Sequence, residues 1–231
     1  MCGRYASARR DADLAGAFRV AEIVGDDLGP SWNIAPMQPI RVVLERAPRE
    51  EPDASAVREL RRVKWGLVPS WAKDEKIGSR MINARSETLT EKPAFKAAAS
   101  KRRCLVPMDG YFEWATNDDK TKTPFFLHDG DQLLAAAGLY ELRRDPDLGE
   151  WLWTATIATR AATDALGHIH DRSPVLVPAD RWDDWLDPGL QDLEQVAKLI
   201  AALPEPHLRP REVAKAVGNV RNNGPQLVEP V

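Results

Sequence analysis

Short runs rich in β-branched and aromatic residues recur along the chain, each bounded by Gly, Pro, Asp or Asn, and they predict strands rather than long helices. The predicted strands are Ile40 to Leu44, Val63 to Val68, Cys104 to Val106, Tyr111 to Ala115, Phe125 to Leu127, Leu133 to Tyr140, Trp151 to Thr159 and Val175 to Val177. Their spacing is that of an antiparallel sheet or barrel. Apolar residues at steps of three and four predict helices over Asp11 to Val20, Pro93 to Ser100, Arg181 to Leu186 and Leu190 to Leu203. Residues 45–62, charged and interrupted by Pro48 and Pro52, read as an exposed hairpin or mobile loop. Asp164 to Gly167 reads as a short helix or turn, and Val217 to Val231 as a loose tail or an extended strap. No internal repeat or linker interrupts the pattern, so a single domain over residues 1–231 is expected.

Composition narrows the setting. The 231 residues are 43% hydrophobic, enough for a sizeable core. No apolar run reaches the length of a membrane span, and the start lacks a charged segment followed by a hydrophobic one, so a soluble, non-exported, cytoplasmic protein is expected. Two cysteines, Cys2 and Cys104, are too few for a disulfide framework and have no zinc-ligand spacing. The net charge of −3 hides an asymmetry. Residues 1–103 carry 20 Lys and Arg against 14 Asp and Glu, a net +6, while residues 104–231 carry 12 against 21, a net −9. A positive face that holds phosphates fits the first half, as does a set of solvated surface charges.

The chemistry centres on the start of the chain. If Met1 is removed, Cys2 carries a free α-amine and a thiol on adjacent carbons, with reference pKa values of about 7.7 to 8.0 and about 8.5. Such a residue reacts with an aldehyde: the amine gives an imine, and the neighbouring sulfur closes a five-membered thiazolidine. Asn83, Arg85 and Glu87 fall on alternate positions, so an extended backbone projects an amide, a guanidinium and a carboxylate from one face. A polar solvent face reads the same way. Glu113 sits in the aromatic run Tyr111-Phe112-Glu113-Trp114, where burial raises a carboxyl pKa and makes it a proton donor near neutral pH. An exposed Glu on a solvent face is the alternative. His168 and His170 have no third histidine or cysteine pair beside them, so no metal is assigned. His170 beside Arg172 suits proton transfer near a phosphate.

Seven motifs stand in order: Cys2-Gly3-Arg4-Tyr5, Trp32-Asn33-Ile34-Ala35-Pro36, Trp65-Gly66-Leu67-Val68-Pro69-Ser70-Trp71, Asn83-Ala84-Arg85-Ser86-Glu87-Thr88, Cys104-Leu105-Val106-Pro107, Gly110-Tyr111-Phe112-Glu113-Trp114 and His170-Asp171-Arg172-Ser173-Pro174. Together they resemble the SOS response-associated peptidase (SRAP) family. The resemblance implies an α+β single domain on a curved, mostly antiparallel sheet or barrel-like core flanked by helices. It implies loss of Met1, an autoproteolytic step in the family, and capture by Cys2 of the ring-opened aldehyde of an abasic site in single-stranded DNA as a covalent thiazolidine cross-link. A lyase-type activity belongs to the same expectation.

The roles implied by the resemblance are Cys2 as nucleophile, Asn83 as the group that orients the amino terminus or opened sugar, Glu113 as acid and base, and His170 as proton shuttle. Arg4, Arg85 and Arg172 match phosphate-holding positions. Trp65, Trp71 and Trp114 either line the DNA channel or pack in the core. No cofactor or metal is implied. The expected partner is single-stranded DNA with an abasic site, including single/double-strand junctions, bound by a nucleoid-associated monomer without a membrane. The chain departs from the family pattern at Ser173, where Met is more usual, which bears on the pocket wall near His170. Two other readings stay open: a thiol peptidase acting in trans with Cys2 and His170, and a non-covalent single-stranded DNA binder.

Overall fold

The computed structural model describes residues 2–47, 55–144, 149–162 and 168–231. Among these residues thirteen strands and four α-helices follow in order: β1 (Tyr5–Ser7), α1 (Asp11–Phe18), β2 (Glu22–Val24), β3 (Ser31–Ile34), β4 (Pro39–Arg46), β5 (Val57–Trp65), β6 (Asn83–Arg85), α2 (Lys96–Lys101), β7 (Arg103–Met108), β8 (Gly110–Thr116), β9 (Lys122–His128), β10 (Leu134–Arg144), β11 (Trp151–Ala161), β12 (Arg172–Pro174), α3 (Trp182–Leu186), α4 (Leu193–Ala201) and β13 (Arg209–Glu212). One sheet has the order β13-β9-β8-β1-β3. The larger runs β12-β11-β10-β7-β4-β5-β2, with β6 against β11. A parallel pairing of β5 with β11, Lys64 opposite Thr154 and Trp65 opposite Ala155, closes β11, β10, β7, β4 and β5 into a ring. The expected α+β architecture with a barrel-like core is present.

Alternation along the ring strands divides the core in two, because successive side chains point to opposite faces. Ile40, Val42 and Leu44 of β4, Cys104, Val106 and Met108 of β7, and Ala155 and Ile157 of β11 face inward, where they meet Cys2, Tyr5, Ile34, Tyr111 and Leu127 from the five-stranded sheet. Val43, Leu105, Ala135, Ala137, Leu139 and Ala158 face outward beneath Leu14 and Phe18 of α1, Trp182 and Trp185 of α3 and Val196 and Ile200 of α4. The four-residue step from Val196 to Ile200 gives α4 its apolar stripe, and the Asp192 side chain caps its start by accepting from the Gln195 amide. The far face of the five-stranded sheet buries Ala6, Phe112 and Phe126 beneath Val213, Val217 and Leu227. The order through the molecule is therefore helices, ring, inner core, second sheet and C-terminal strap.

Several predicted boundaries move. β5 begins at Val57 rather than at Val63, inside the stretch read as hairpin or loop. Its charges are tolerated because they meet opposite charges: Glu59, only 4% exposed, accepts from Arg46 and Arg61, and Glu45 accepts from Arg58. At its other end the strand stops at Gly66, whose φ of +124° and close approach to the Gly78 carbonyl leave no room for a side chain. The Pro107–Gly110 segment is not a separate turn: β7 continues through Pro107 and Met108, and β8 starts at Gly110. The strand of the 172–177 stretch lies at Arg172–Pro174 rather than at Val175 to Val177, with only a bridge from Leu176 to Ala136 beyond it. The turn or helix expected over Asp164 to Gly167 lies outside the described residues.

Of the two readings of the C-terminal stretch, the strap is the one present. Asn33, 2% exposed on β3, donates from Nδ2 to the carbonyls of Val217 (3.2 Å), Asn219 (3.0 Å) and Asn222 (2.9 Å). Its Oδ1 accepts from Arg4 at 2.7 Å. Asn33→Ala strands several of these groups and is expected to lower stability by about 2 kcal/mol. Urea unfolding should show the loss, and amide exchange over residues 215–222 should accelerate more than in β10; equal acceleration in both would contradict a local latch.

Candidate active site around Cys2

The inner core places Cys2 where two sheets meet. β1 is held between β8 and β3, with Tyr5 opposite both Tyr111 and Ile34. The Phe112 amide donates to the Arg4 carbonyl at 2.8 Å, so the ladder continues towards the chain start. Extending that antiparallel register puts Glu113 opposite Gly3, one residue from Cys2. From the other sheet, Asn83 of β6 donates from Nδ2 to the Cys2 carbonyl at 2.8 Å. Cys2 is fully buried. The Oδ1 of Asn83 is also buried and accepts no hydrogen bond among the described residues, which leaves one unused acceptor on the side chain that holds Cys2.

Glu113 shares its strand face with Tyr111, which packs in the inner core, while Phe112 and Trp114 belong to the opposite face. The alternation read from the sequence is present, and the carboxyl is 5% exposed. Burial, reinforced by the negative charge of Asp171, pushes its pKa up to about 7. The same burial, together with the Glu113 charge, pushes the Cys2 thiol well above its ordinary range. Glu113 and Cys2 therefore lie within electrostatic reach of each other.

His170 enters from the end of β11. β6 runs along one side of that strand, with Asn83 opposite Ile157 and Arg85 opposite Thr159, and β12 runs along the other, with Arg172 opposite Ala161. His170 lies two residues before Arg172. Its Nδ1 accepts from the Arg172 backbone N–H at 3.0 Å and lies 2.9 Å from an Asp171 carboxylate oxygen. Nδ1 of the neutral ring either accepts from the amide through its lone pair or, when it carries the proton, donates to Asp171, and cannot do both. Burial lowers the His170 pKa, which favours the neutral form, so the Arg172 N–H holds Nδ1 and the proton sits on Nε2.

The three arginines divide. Arg4 is committed internally: Nη1 donates to Asn33 Oδ1 and to the Val217 carbonyl at 2.8 Å, and the guanidinium lies 5.8 Å from the Trp114 ring centre. Arg172 forks onto Glu87. Arg85 is exposed, and its side chain makes no hydrogen bond or ion pair among the described residues. The tryptophans also divide. Trp65 is fully buried, packs edge-on to Tyr5 at 5.3 Å and donates its indole N–H to the Ile82 carbonyl, so of its two readings it takes the core and not the DNA channel. Trp71 is 61% exposed, and Trp114 is partly buried against the strap.

Two contributors were not singled out from the sequence as site residues. Asp171 acts on both Glu113 and His170, and only its place within the His170 motif hinted at this. Glu87 was visible as the third member of the 83, 85, 87 alternation, but its partner Arg172 lies 85 positions away. Among the described residues no group of three or more His, Cys, Asp or Glu side chains is arranged to hold a metal ion. No helix there is long and apolar enough to cross a membrane.

Comparison with known proteins places this geometry in a family. The description "SOS response associated peptidase (SRAP)" matches residues 1–220. A Bacillus subtilis relative, abasic site processing protein YoqW, is 36% identical over 231 residues and covers 99% of both chains. Abasic site processing protein HMCES of Xenopus tropicalis is 29% identical over 263 residues, covering 99% of this chain and 78% of its own. Among solved structures, a Bacteroides thetaiotaomicron protein superposes with a TM-score of 0.83 at 22% identity and full coverage of both chains. A phage-related protein of Bordetella bronchiseptica superposes at 0.69 with 29% identity, covering 93% of this chain and 95% of its own. With its residues 1–220 matched and its first strand carrying Cys2 into the core between two sheets, the chain belongs to the SOS response associated peptidase (SRAP) family.

Proposed function

We propose that this protein captures abasic sites in single-stranded DNA by covalent attachment through Cys2 after Met1 is removed, working as a monomer without a cofactor. The observation that carries the reading is the pairing of Asn83 with the Cys2 carbonyl at 2.8 Å beside a buried carboxyl whose pKa lies at about 7. That pairing fixes the backbone of the nucleophile. It leaves the α-amine and thiol as the groups that react.

An abasic sugar is mostly a closed hemiacetal, so its aldehyde must first be released. Glu113, partly protonated near neutral pH, donates a proton to the leaving ring oxygen while its conjugate base accepts the hydroxyl proton. The Cys2 amine adds to the aldehyde carbon, water leaves, and an imine forms. Sulfur then adds to that carbon, and the thiol proton ends on nitrogen, so the thiazolidine closes with no redox partner. Holding sulfur two carbons from the imine nitrogen makes the last step intramolecular. His170, neutral with its proton on Nε2, relays protons at the opened sugar and in the reverse reaction.

Arg85, exposed and without a protein partner among the described residues, supplies a phosphate anchor; Trp71 supplies a stacking face. Removal of Met1 by self-cleavage and a lyase-type step belong to the same reading. The printed names of the relatives, which speak of abasic site processing, support it. The thiol peptidase reading is disfavoured by the Cys2 thiol, which burial and Glu113 push up rather than down, whereas a standing thiolate needs the opposite shift.

Intact mass of the purified protein tests the proposal, measured alone and after incubation with a single-stranded oligonucleotide bearing one abasic site. The expected result is loss of Met1 followed by an adduct of oligonucleotide mass that survives denaturation without borohydride and maps to Cys2. A mature Cys2 terminus that forms no adduct overturns it.

A further inference from the structure

Glu87 stands just beyond β6, with a carboxylate that accepts three hydrogen bonds from two strands, β11 and β12. Its Oε1 accepts from Arg172 Nη1 at 2.7 Å, its Oε2 accepts from Arg172 Nη2 at 2.9 Å, and Oε1 also accepts from the Ala161 amide at 3.3 Å. Two parallel N–H to oxygen bonds between a planar guanidinium and a carboxylate fix orientation as well as distance. Arg172 Nη2 donates in addition to the Thr159 carbonyl. The guanidinium is thus clamped across the end of β11, with only 13% of its side chain exposed. The Arg172 hydrogen bonds hold the Glu87 carboxyl down at about 2, so the clamp stays charged at any pH near neutral.

The backbone of the clamped residue is what holds the His170 ring, since the Arg172 N–H donates to Nδ1 at 3.0 Å. We infer that Glu87 is a positioning residue for His170: by locking the Arg172 side chain against β11 it fixes the Arg172 amide, and the amide selects the His170 tautomer that carries its proton on Nε2. A competing arrangement is built in. Asp171 also reaches Nδ1, at 2.9 Å, and would hold a ring protonated there. Without the clamp, the ring can trade the Arg172 amide for Asp171, and the proton position is no longer single. The same clamp consumes two Arg172 donors and its charge, so Glu87 also tempers how strongly Arg172 holds a phosphate. This inference rests on the function proposed above for the value of a fixed tautomer, but the placement of the ring does not.

The experiment is nitrogen NMR of histidine-labelled full-length protein, comparing wild type with Glu87→Gln and with Arg172→Lys. Glu87→Gln keeps the volume and the contact to the Ala161 amide but loses the charge, and Arg172→Lys keeps the charge but loses the fork. In wild type the His170 Nδ1 and Nε2 resonances should be well separated, as an acceptor and a donor are; in both variants they should move towards each other as the ring samples both tautomers. The indole N–H of Trp65 should stay in place, reporting an intact core. Single-turnover capture of an abasic oligonucleotide should slow by roughly tenfold in Glu87→Gln, as when an orienting outer partner is lost. Affinity for undamaged single-stranded DNA should instead rise, with a salt slope steeper by about 0.7 for the released Arg172. His170 resonances unchanged in both variants overturn the positioning role. Failure of wild type itself to capture the oligonucleotide overturns the proposed function, and leaves the ring measurement to decide the clamp.

Discussion

Replacing Cys2 with alanine abolishes the denaturation-stable adduct while leaving the amine in place. The mature variant still carries an α-amine next to Asn83 and Glu113, so it still condenses with the opened sugar. What it loses is the second, intramolecular bond, the one that converts a hydrolysable imine into a ring. Adduct recovered after heating should fall to background, and borohydride added during the reaction should restore a reduced amine linkage. Cys2→Ser is expected to behave like alanine, because a hydroxyl is the weaker nucleophile towards the imine carbon. An alanine variant that forms stable adduct at the wild-type rate would show that the sulfur has no part in the chemistry. Because Cys2 is small and wholly buried, the change also removes little volume, and the fold should be retained.

The second large effect concerns Glu113, where rate and stability should move in opposite directions. Glu113→Gln removes the proton donor and acceptor, and capture is expected to slow by about 10² to 10⁴. Stability should rise. The carboxyl pKa is about 7 in the fold against an ordinary value of 4.5, so the folded state prefers the protonated acid. Below pH 4.5 the acid is protonated both folded and unfolded, and the wild type bears no penalty. As pH rises from 4.5 to 7 the unfolded chain ionises first and wild-type stability declines, reaching a plateau above 7. Glutamine is neutral throughout, so its advantage is absent below about pH 4.5 and grows to an order of 3 kcal/mol above pH 7. Thermal unfolding at pH 4 and pH 8 checks this: the variant's Tm gain should appear at pH 8 alone. A gain of equal size at both values would assign it to packing instead of ionisation.

Much of the fold was legible because it rests on local chemistry. β4, β8 and β11 are runs rich in β-branched and aromatic residues with turn formers at their ends, and the strand-face separation of Glu113 from Phe112 and Trp114 follows from a period of two. The helices α1 and α4 announce themselves by apolar spacing. What was not legible depends on residues far apart in the chain. Nothing local tells that Arg58 and Glu59 belong in a strand; their partners Glu45 and Arg46 stand across the ladder, beyond the reach of a propensity argument. The parallel closure of β5 on β11 is of the same kind. Of the residues proposed from their motifs as the site, the structure gathers Cys2 with Asn83 and Glu113, while Asp171 links Glu113 to His170. Trp65 and Arg4 were harder, since an aromatic or a cation in a motif looks alike whether it faces a ligand or the interior.

The latch at Asn33 and Arg4 ties the nucleophile's strand to residues that leave the ribosome late. Arg4 and Val217 are 213 positions apart. At roughly 5 to 20 residues per second, some ten to forty seconds of synthesis separate them. During that interval β1 has neither its strap nor most of the strands that wall in Cys2, so the groups proposed to release Met1 are not yet gathered and Met1 still covers the Cys2 amine. A nascent chain that stalls before residue 217 would lack the Val217–Arg4 hydrogen bond that helps seat its strand, so the free aminothiol, and with it any reactivity towards aldehydes, should belong to the finished chain.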